Sequence, residues 1–245
     1  MGGLGPRGLA LSAVFTVLVF AATLIAIETP ITGGYFNLGE SMVYTAAILG
    51  GPMVGMIAGG LGSSLADVYL GYQQYAPGTL VIKAFEGFIV GSLYRVLARY
   101  ARISWFTPVL ALVVGVGILV AGMVIYGGVY GGETILNLWG KTFSFKIPGI
   151  MWTILAVIVA LVIIYAGRES GYTAAMVVGM LLGGLEMVAG YFLYEAIILG
   201  YGISAAAEIP VNIGQMLVGS VIAVFVVSSV VKAYGGAVEG AGWRE

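Results

Sequence analysis

The residues best suited to binding a small molecule are carboxylates and carboxamides near the ends of long apolar segments. Glu208, Asn212 and Gln215 follow one another at spacings of four and three residues near the start of one such segment. In a helix, these spacings place all three side chains on one face, so all three can line one cavity. Apolar walls with a few placed polar groups are typical of sites for small organic molecules. The spacing therefore predicts a binding site here.

Three other ionisable residues lie deeper within apolar segments. Lys83 and Glu86 are three residues apart and can pair on one helix face, whereas Glu186 has no partner in its own segment. Ionisable groups in such surroundings are costly to bury and commonly functional. Two interpretations stay open for each. Lys83 and Glu86 form a structural pair or belong to a site, and Glu186 bonds to a neighbouring helix or belongs to a site.

The composition excludes most catalytic chemistry. The chain has no histidine and no cysteine, so it lacks the commonest general base, the commonest transition-metal ligand and every thiol reaction. It has no phosphate-binding P-loop, no hydrolase pattern and no basic stripe suited to nucleic acid. We therefore predict no catalytic residue, no metal site, no cofactor and no nucleic-acid partner.

The elements that must position these residues are membrane helices. Of the 245 residues, 60% are hydrophobic and 9% are charged, whereas soluble domains carry about 25% charged residues. The sequence thus predicts an all-α integral membrane protein, folded as a single transmembrane domain over residues 1–245. Eight apolar spans, most of them near the ~20 residues that cross a bilayer, are expected at 8–27, 36–50, 52–70, 79–98, 106–127, 148–166, 172–199 and 208–231.

Charge placement favours eight crossings with both termini in the cytoplasm of a multi-pass cell-membrane protein. If 36–50 and 52–70 cross separately, nearly all arginines fall on the cytoplasmic side, as the positive-inside rule requires. A single crossing over 36–70 would place Arg95, Arg99 and Arg168 opposite Arg7. The span 36–50 is short, so either neighbouring helices must shelter it or the bilayer must thin around it. In this topology most carboxylates, carboxamides and tyrosines gather at the outer side.

Several sequence runs resemble one known family. They are GGYFNLGE (33–40), MVYTA (42–46), LGGPMVG (49–55), GSSLAD (62–67), YAPGT (75–79), KAFEG (83–87), GYFLYE (190–195), and AEIPVN (207–212) with Gln215. Their order is similar to that in the substrate-binding S components of energy-coupling factor (ECF) vitamin transporters, over roughly 1–98 and 172–232.

The resemblance implies a six-helix core that binds one water-soluble vitamin or precursor from outside. It also implies delivery through a separate transmembrane coupling protein that carries two ATPase subunits, within an ABC importer embedded in membrane lipid. Together with the polar residues above, it predicts a substrate site made of Tyr35, Phe36, Asn37, Glu40, Lys83, Glu86, Glu186, Tyr191, Glu195, Glu208, Asn212 and Gln215. A stand-alone ion-coupled secondary transporter or channel is the alternative, with Glu86 and Glu186 as coupling groups.

Two features depart from the family pattern. Residues 104–170 resemble an inserted transmembrane hairpin between core segments 1–103 and 171–234, with a flexible tail at 235–245. The family's Ala-x-x-x-Ala docking pattern on its first helix is matched by Ala22 and Ala26, in the outer half of the span.

The expected ligand is neutral or cationic. Acids outnumber bases near the predicted site, where Lys83 is the only buried cation, and this disfavours a multiply anionic molecule. The tyrosines suit a flat heteroaromatic ring. A pyrimidine precursor, thiamine and riboflavin are all compatible with these residues.

Overall fold

Helices carry the fold. A computed structural model describes residues 5–28, 35–103, 105–128, 133–138, 141–146 and 149–238. The α-helices in this part of the chain are α1 Pro6–Thr23, α2 Gly39–Gly50, α3 Pro52–Leu70, α4 Ala76–Ala98, α5 Phe106–Gly128, α6 Gly149–Glu169, α7 Gly171–Leu193 and α8 Ile209–Val238. A π-helical turn over Tyr194–Ile198 and a 3₁₀ helix over Gly202–Glu208 connect α7 to α8.

Four helical stretches among the described residues are long and apolar enough to cross a membrane. They are Pro6–Thr23, Pro52–Leu70, Gly171–Ile198 and Gly202–Tyr234. Helix α2 has only 12 residues, which corresponds to about 18 Å against a hydrocarbon core of about 30 Å. It packs against α1, α3 and α8, and its side chains Val43, Tyr44 and Ala47 are fully buried. The prediction that neighbours shelter this short helix is confirmed.

The chain forms two compact units. The first comprises Met1–Val96 and Gly179–Glu245 and includes the candidate site described below. The second comprises Leu97–Val178, in which α5 packs against α6. Strands β3 (Glu133–Leu138) and β4 (Lys141–Lys146) pair antiparallel in this second unit. These strands lie between the spans predicted at 106–127 and 148–166.

Glycines bring the backbones of α3 and α4 together. A Cβ atom on Gly87 would lie 2.3 Å from the carbonyl oxygen of Gly55, and one on Gly59 would lie 2.6 Å from the carbonyl oxygen of Lys83. Small residues at four-residue spacing allow such close approach of helices in lipid. Gly55, Gly59 and Gly87 therefore serve the packing of α3 against α4.

The break between α2 and α3 lies where proline and glycine favour it. Helix α2 ends at Gly50, Gly51 has a φ of 88°, and Pro52 occupies the first turn of α3. Positive φ costs glycine little, and proline at the first helical position forfeits no hydrogen bond. Two helices over 36–70, rather than one, follow from these three residues.

Two predicted helix ends were wrong. Helix α1 ends at Thr23 rather than 27, because Ala26–Glu28 (β1) pairs antiparallel with Tyr35–Asn37 (β2). Ala26 therefore belongs to a strand and does not share a helix face with Ala22. At the other end, α8 runs to Val238 with a kink at Tyr234, so it extends past the predicted end of the span at 231, and 239–245 lies outside the described residues.

Candidate functional site

A small polar cavity lies in the first unit, where α3 ends and α4 and α8 begin. Its volume is about 40 Å³, which is room for about three water molecules. It is lined by Tyr35, Asn37, Asp67, Tyr75, Thr79, Tyr191, Glu195, Glu208, Asn212 and Gln215. A ligand that contains a ring therefore needs some of these side chains to move as it enters.

Strand β2 forms one wall of the cavity and is fixed by two carboxamides. Gln215 Oε1 accepts hydrogen bonds from the Asn37 backbone N–H (2.9 Å) and from Asn37 Nδ2 (3.0 Å). Asn37 Oδ1 accepts a hydrogen bond from the Gly39 N–H at the start of α2 (2.8 Å). Alternation along the strand places Tyr35 and Asn37 on one face and Phe36 on the other. The cavity consequently includes Tyr35 and Asn37 but not Phe36.

A buried ionic network lies behind the cavity wall. Gln215 Nε2 donates to Glu40 Oε1 (2.8 Å), and Lys83 forms ion pairs with both Glu40 and Glu86. The distance from Lys83 Nζ to Glu86 Oε2 is 3.1 Å, and the Tyr44 hydroxyl donates to Glu86 Oε1 at 3.0 Å. All five side chains are buried. Because Gln215 belongs to both groups, the network connects directly to the cavity.

The network contains the expected pair of Lys83 and Glu86. They do pair, as the three-residue spacing predicts, but Lys83 also contacts Glu40 from another helix. The cavity lining includes none of the three charged residues Lys83, Glu86 and Glu40. The Lys83 ammonium lies 5.6 Å from the centre of the Tyr191 ring, which does line it. These charged groups therefore support the site from behind.

Tyrosines line much of the cavity. The Tyr35 hydroxyl donates to Asp67 Oδ1, and the Tyr191 hydroxyl donates to Thr79 Oγ1 at 3.0 Å. The Tyr35 and Tyr72 rings are 4.7 Å apart between centroids. Burial, with a further contribution from the Asp67 charge, raises the pKa of Tyr35 well above its ordinary value. Its phenol thus stays protonated and remains a donor.

Two carboxylates face the cavity from the connection between α7 and α8. Glu195 lies in the π-helical turn and Glu208 ends the 3₁₀ helix, and their exposed fractions are 3% and 4%. Glu195 Oε2 is buried and accepts no hydrogen bond from the described residues. Burial raises the pKa of Tyr75, and the charge of Glu195 raises it further. The charge of Glu208 makes a smaller contribution in the same direction. Both carboxylates therefore act on the same end of the cavity.

The structure brings together most, but not all, of the predicted site. The predicted residues that line the cavity are Tyr35, Asn37, Tyr191, Glu195, Glu208, Asn212 and Gln215. Glu186 does not line it, and its buried Oε2 accepts no hydrogen bond from the described residues. That these side chains bind a ligand stays a prediction.

Three lining residues were missed: Asp67, Tyr75 and Thr79. Asp67 and Tyr75 are among the carboxylates and tyrosines expected at the outer side, yet nothing in their spacing links them to Asn37 or Gln215. Thr79 follows Tyr75 by one helical turn, which is the only sequence signal that could have added it.

Comparison with known proteins gives a family and two relatives. The family model for the S component of the ECF-type riboflavin transporter matches residues 5–149. An uncharacterized protein in gap 3'region of Pyrococcus woesei is 43% identical over 104 residues, covering 42% of this chain and 70% of the relative. The thiamine precursor transporter HmpT of Lactococcus lactis subsp. cremoris (strain MG1363) is 33% identical over 137 residues, covering 54% of this chain and 75% of the relative. The family match includes β2, α3 and α4 but ends before Tyr191, Glu195 and the α8 side of the cavity.

Proposed function

We propose that this chain, which belongs to the family of ECF-type riboflavin transporter S components, is the high-affinity binding subunit of an ECF-type importer. Membership makes it a multi-pass membrane protein and a transport component rather than an enzyme. In the proposal it captures a small water-soluble vitamin or vitamin precursor from outside. A separate coupling protein with two ATPase subunits then completes delivery, since no nucleotide-binding motif occurs in this sequence.

The observation that carries the proposal is the polar, tyrosine-lined cavity within an otherwise apolar helical unit. It combines aromatic walls, three carboxamides and buried carboxylates. Such placed polar groups orient a small molecule and give specificity. The polar lining residues come from six different elements, so ligand contacts would bring together parts of the chain that are distant in sequence.

The proposed topology has eight crossings, both termini in the cytoplasm, the cavity toward the outside and 104–170 as an inserted hairpin. It can be tested directly, because the natural chain has no cysteine. Ile203 is 69% exposed in the 3₁₀ helix beside the cavity, and Lys232 is exposed near the other end of α8. Ile203→Cys should react with a membrane-impermeant maleimide in intact cells, whereas Lys232→Cys should react only after permeabilisation. The reverse pattern would contradict the proposed orientation.

Transport distinguishes the proposal from a stand-alone ion-coupled carrier. The chain is expressed in cells that lack vitamin uptake, with and without an ECF coupling protein and its ATPases. We expect uptake of labelled vitamin only with the complete set, and loss of uptake when the ATPases carry inactive P-loops. Uptake by the chain alone that collapses with the proton gradient would instead establish the secondary transporter.

A further inference from the structure

Three arginines of the second unit gather at one end of its helices. Arg99 and Arg102 lie in the connection between α4 and α5, and Arg168 lies in the last turn of α6. Helices α5 and α6 pack against each other. The same connection contacts the start of α7, where a Cβ atom on Gly171 would overlap the carbonyl oxygen of Ala101. The three guanidinium groups are therefore carried by backbone segments that lie side by side.

Positive charge is in excess at these arginines. All three side chains are exposed. The ion pairs found among the described residues are those of Lys83, and they include none of the three arginines. In the sequence, residues 97–107 and 165–173 hold three arginines against one carboxylate, Glu169. This end of the unit therefore suits an anionic partner.

The guanidinium group of Arg102 is held in place by a neighbouring helix. Its Nε donates a hydrogen bond to the Tyr172 hydroxyl at 3.1 Å, and the Tyr172 backbone N–H donates to Ser170 Oγ at 3.1 Å. This contact ties the side chain to the first turn of α7 and engages Nε, so the two terminal nitrogens can face a ligand. Two parallel hydrogen bonds from a guanidinium group match the geometry of a phosphate. Arg102 is thus oriented to bind a phosphate group.

Exposed aromatic side chains place the arginines at the level of lipid headgroups. Tyr100, Trp105 and Tyr165 are 51%, 62% and 68% exposed, and each lies within three residues of one of the arginines. Tyrosine and tryptophan concentrate at the membrane–water interface. Farther along α5 and α6, Leu112 and Leu161 are exposed as well and offer apolar surface to acyl chains. A phospholipid can use both kinds of contact, whereas a free phosphate can use only the first.

We propose that Arg99, Arg102 and Arg168 form an arginine site for the headgroup of an anionic phospholipid, with its acyl chains along the exposed sides of α5 and α6. Clusters of basic residues between membrane helices bind anionic headgroups in this way. Phosphatidylglycerol carries a phosphate and no cation. Phosphatidylcholine carries a phosphate beside an ammonium group that the arginines repel, so the site discriminates between the two lipids. This inference does not depend on vitamin binding.

Trp105 provides a reporter at the arginine site. The other three tryptophans are replaced by phenylalanine, and the full chain is placed in bilayers that contain brominated phosphatidylglycerol or brominated phosphatidylcholine, which quench tryptophan fluorescence on contact. The replaced residues are Trp139, Trp152 and Trp243. We expect phosphatidylglycerol to be preferred beside Trp105 by at least about tenfold. Equal quenching by the two lipids would overturn the inference.

Single substitutions separate a specific site from the general positive charge of the protein. Arg102→Gln and Arg168→Gln should each lower the preference about fivefold, the effect of one basic residue beside anionic lipid. Arg7→Gln removes the same charge at an exposed arginine of the first unit, and it should change the preference by less than about twofold. Equal losses in all three variants would mean general charge attraction and would overturn the inference.

Inorganic phosphate distinguishes the lipid from a free anion. When phosphate replaces chloride at constant ionic strength, the preference for phosphatidylglycerol should change by less than about twofold. Loss of the preference in phosphate, with retention in chloride, would assign the arginines to a free phosphate and overturn the lipid assignment.

Discussion

Replacement of Lys83 by methionine perturbs the network behind the cavity most directly. The substitution keeps the length of the side chain but removes the ammonium that pairs with Glu40 and Glu86. Each glutamate then keeps one donor, from Gln215 and Tyr44 respectively. The variant leaves two carboxylates buried without a cation.

The expected destabilisation is about 3–5 kcal/mol, the usual cost of breaking a buried ion pair by removing one partner. Proton uptake by the carboxyls limits the loss. The ordinary pKa of glutamate is about 4.3, so protonating one carboxyl at pH 7 costs about 3.7 kcal/mol. Protonating both carboxyls at pH 7 would cost about 7 kcal/mol, which is the largest destabilisation expected. The remaining donors to Glu40 and Glu86 keep the actual destabilisation below this value.

The assay is the free energy of unfolding in mixed micelles, followed by tryptophan fluorescence at pH 7 and at pH 5. If proton uptake limits the loss, the defect of Lys83→Met should shrink by up to about 2.7 kcal/mol per carboxyl at pH 5. The sign follows because the folded variant holds protons that its unfolded chain releases, so its stability rises as the pH falls. Lys232→Met, at an exposed lysine, is the matched control and should lose less than about 0.5 kcal/mol.

Adding Glu40→Gln and Glu86→Gln to Lys83→Met should restore most of the lost stability, because neutral amides need no cation. Equal stability of Lys83→Met and the natural chain at pH 7 would refute the reasoning. So would a defect that does not change between pH 7 and pH 5.

Two further substitutions test helix packing and the cavity wall. Gly87→Ala places a methyl group 2.3 Å from the carbonyl oxygen of Gly55, so it should lower the free energy of unfolding by about 1–3 kcal/mol. Gly214→Ala is the control, because an added carbon there meets no neighbouring element within 4 Å, and it should be near neutral in the same unfolding assay. Equal effects of the two substitutions would argue against close contact between α3 and α4. Gln215→Ala removes three hydrogen bonds that join α8 to β2 and to the ionic network, so it should weaken ligand binding at least tenfold in a titration. Gln74→Ala, at an exposed residue, is the control and should leave binding unchanged. A Gln215→Ala variant that binds normally would remove this residue from the site.

Helix positions could be predicted because their signals are local. The break at Gly50–Pro52 and the glycine spacing of α3 and α4 depend on residues that are neighbours along the chain. The early end of α1 could not be predicted from the sequence, because it results from the pairing of Ala26–Glu28 with Tyr35–Asn37. The helical pattern of 8–27 contains no sign of that pairing.

The site was only partly predictable for the same reason. Asn212 and Gln215 lie on one helix face, and their spacing reveals it. The contact of Lys83 with Glu40 joins residues 43 apart, and that of Tyr35 with Asp67 joins residues 32 apart. No periodicity records such contacts, because they arise from the packing of separate helices. The sequence therefore indicated the types of residue in the site better than their partners.

The central claim is that this chain holds a vitamin-like molecule in the cavity bounded by β2, α4, α7 and α8. The most direct test is mass spectrometry of the small molecules released on denaturing the purified, detergent-solubilised protein, with Gln215→Ala prepared in parallel. We expect one vitamin or precursor at close to one molecule per chain, and its depletion from the variant. A natural chain that releases none, and whose melting temperature no vitamin raises, would contradict the account.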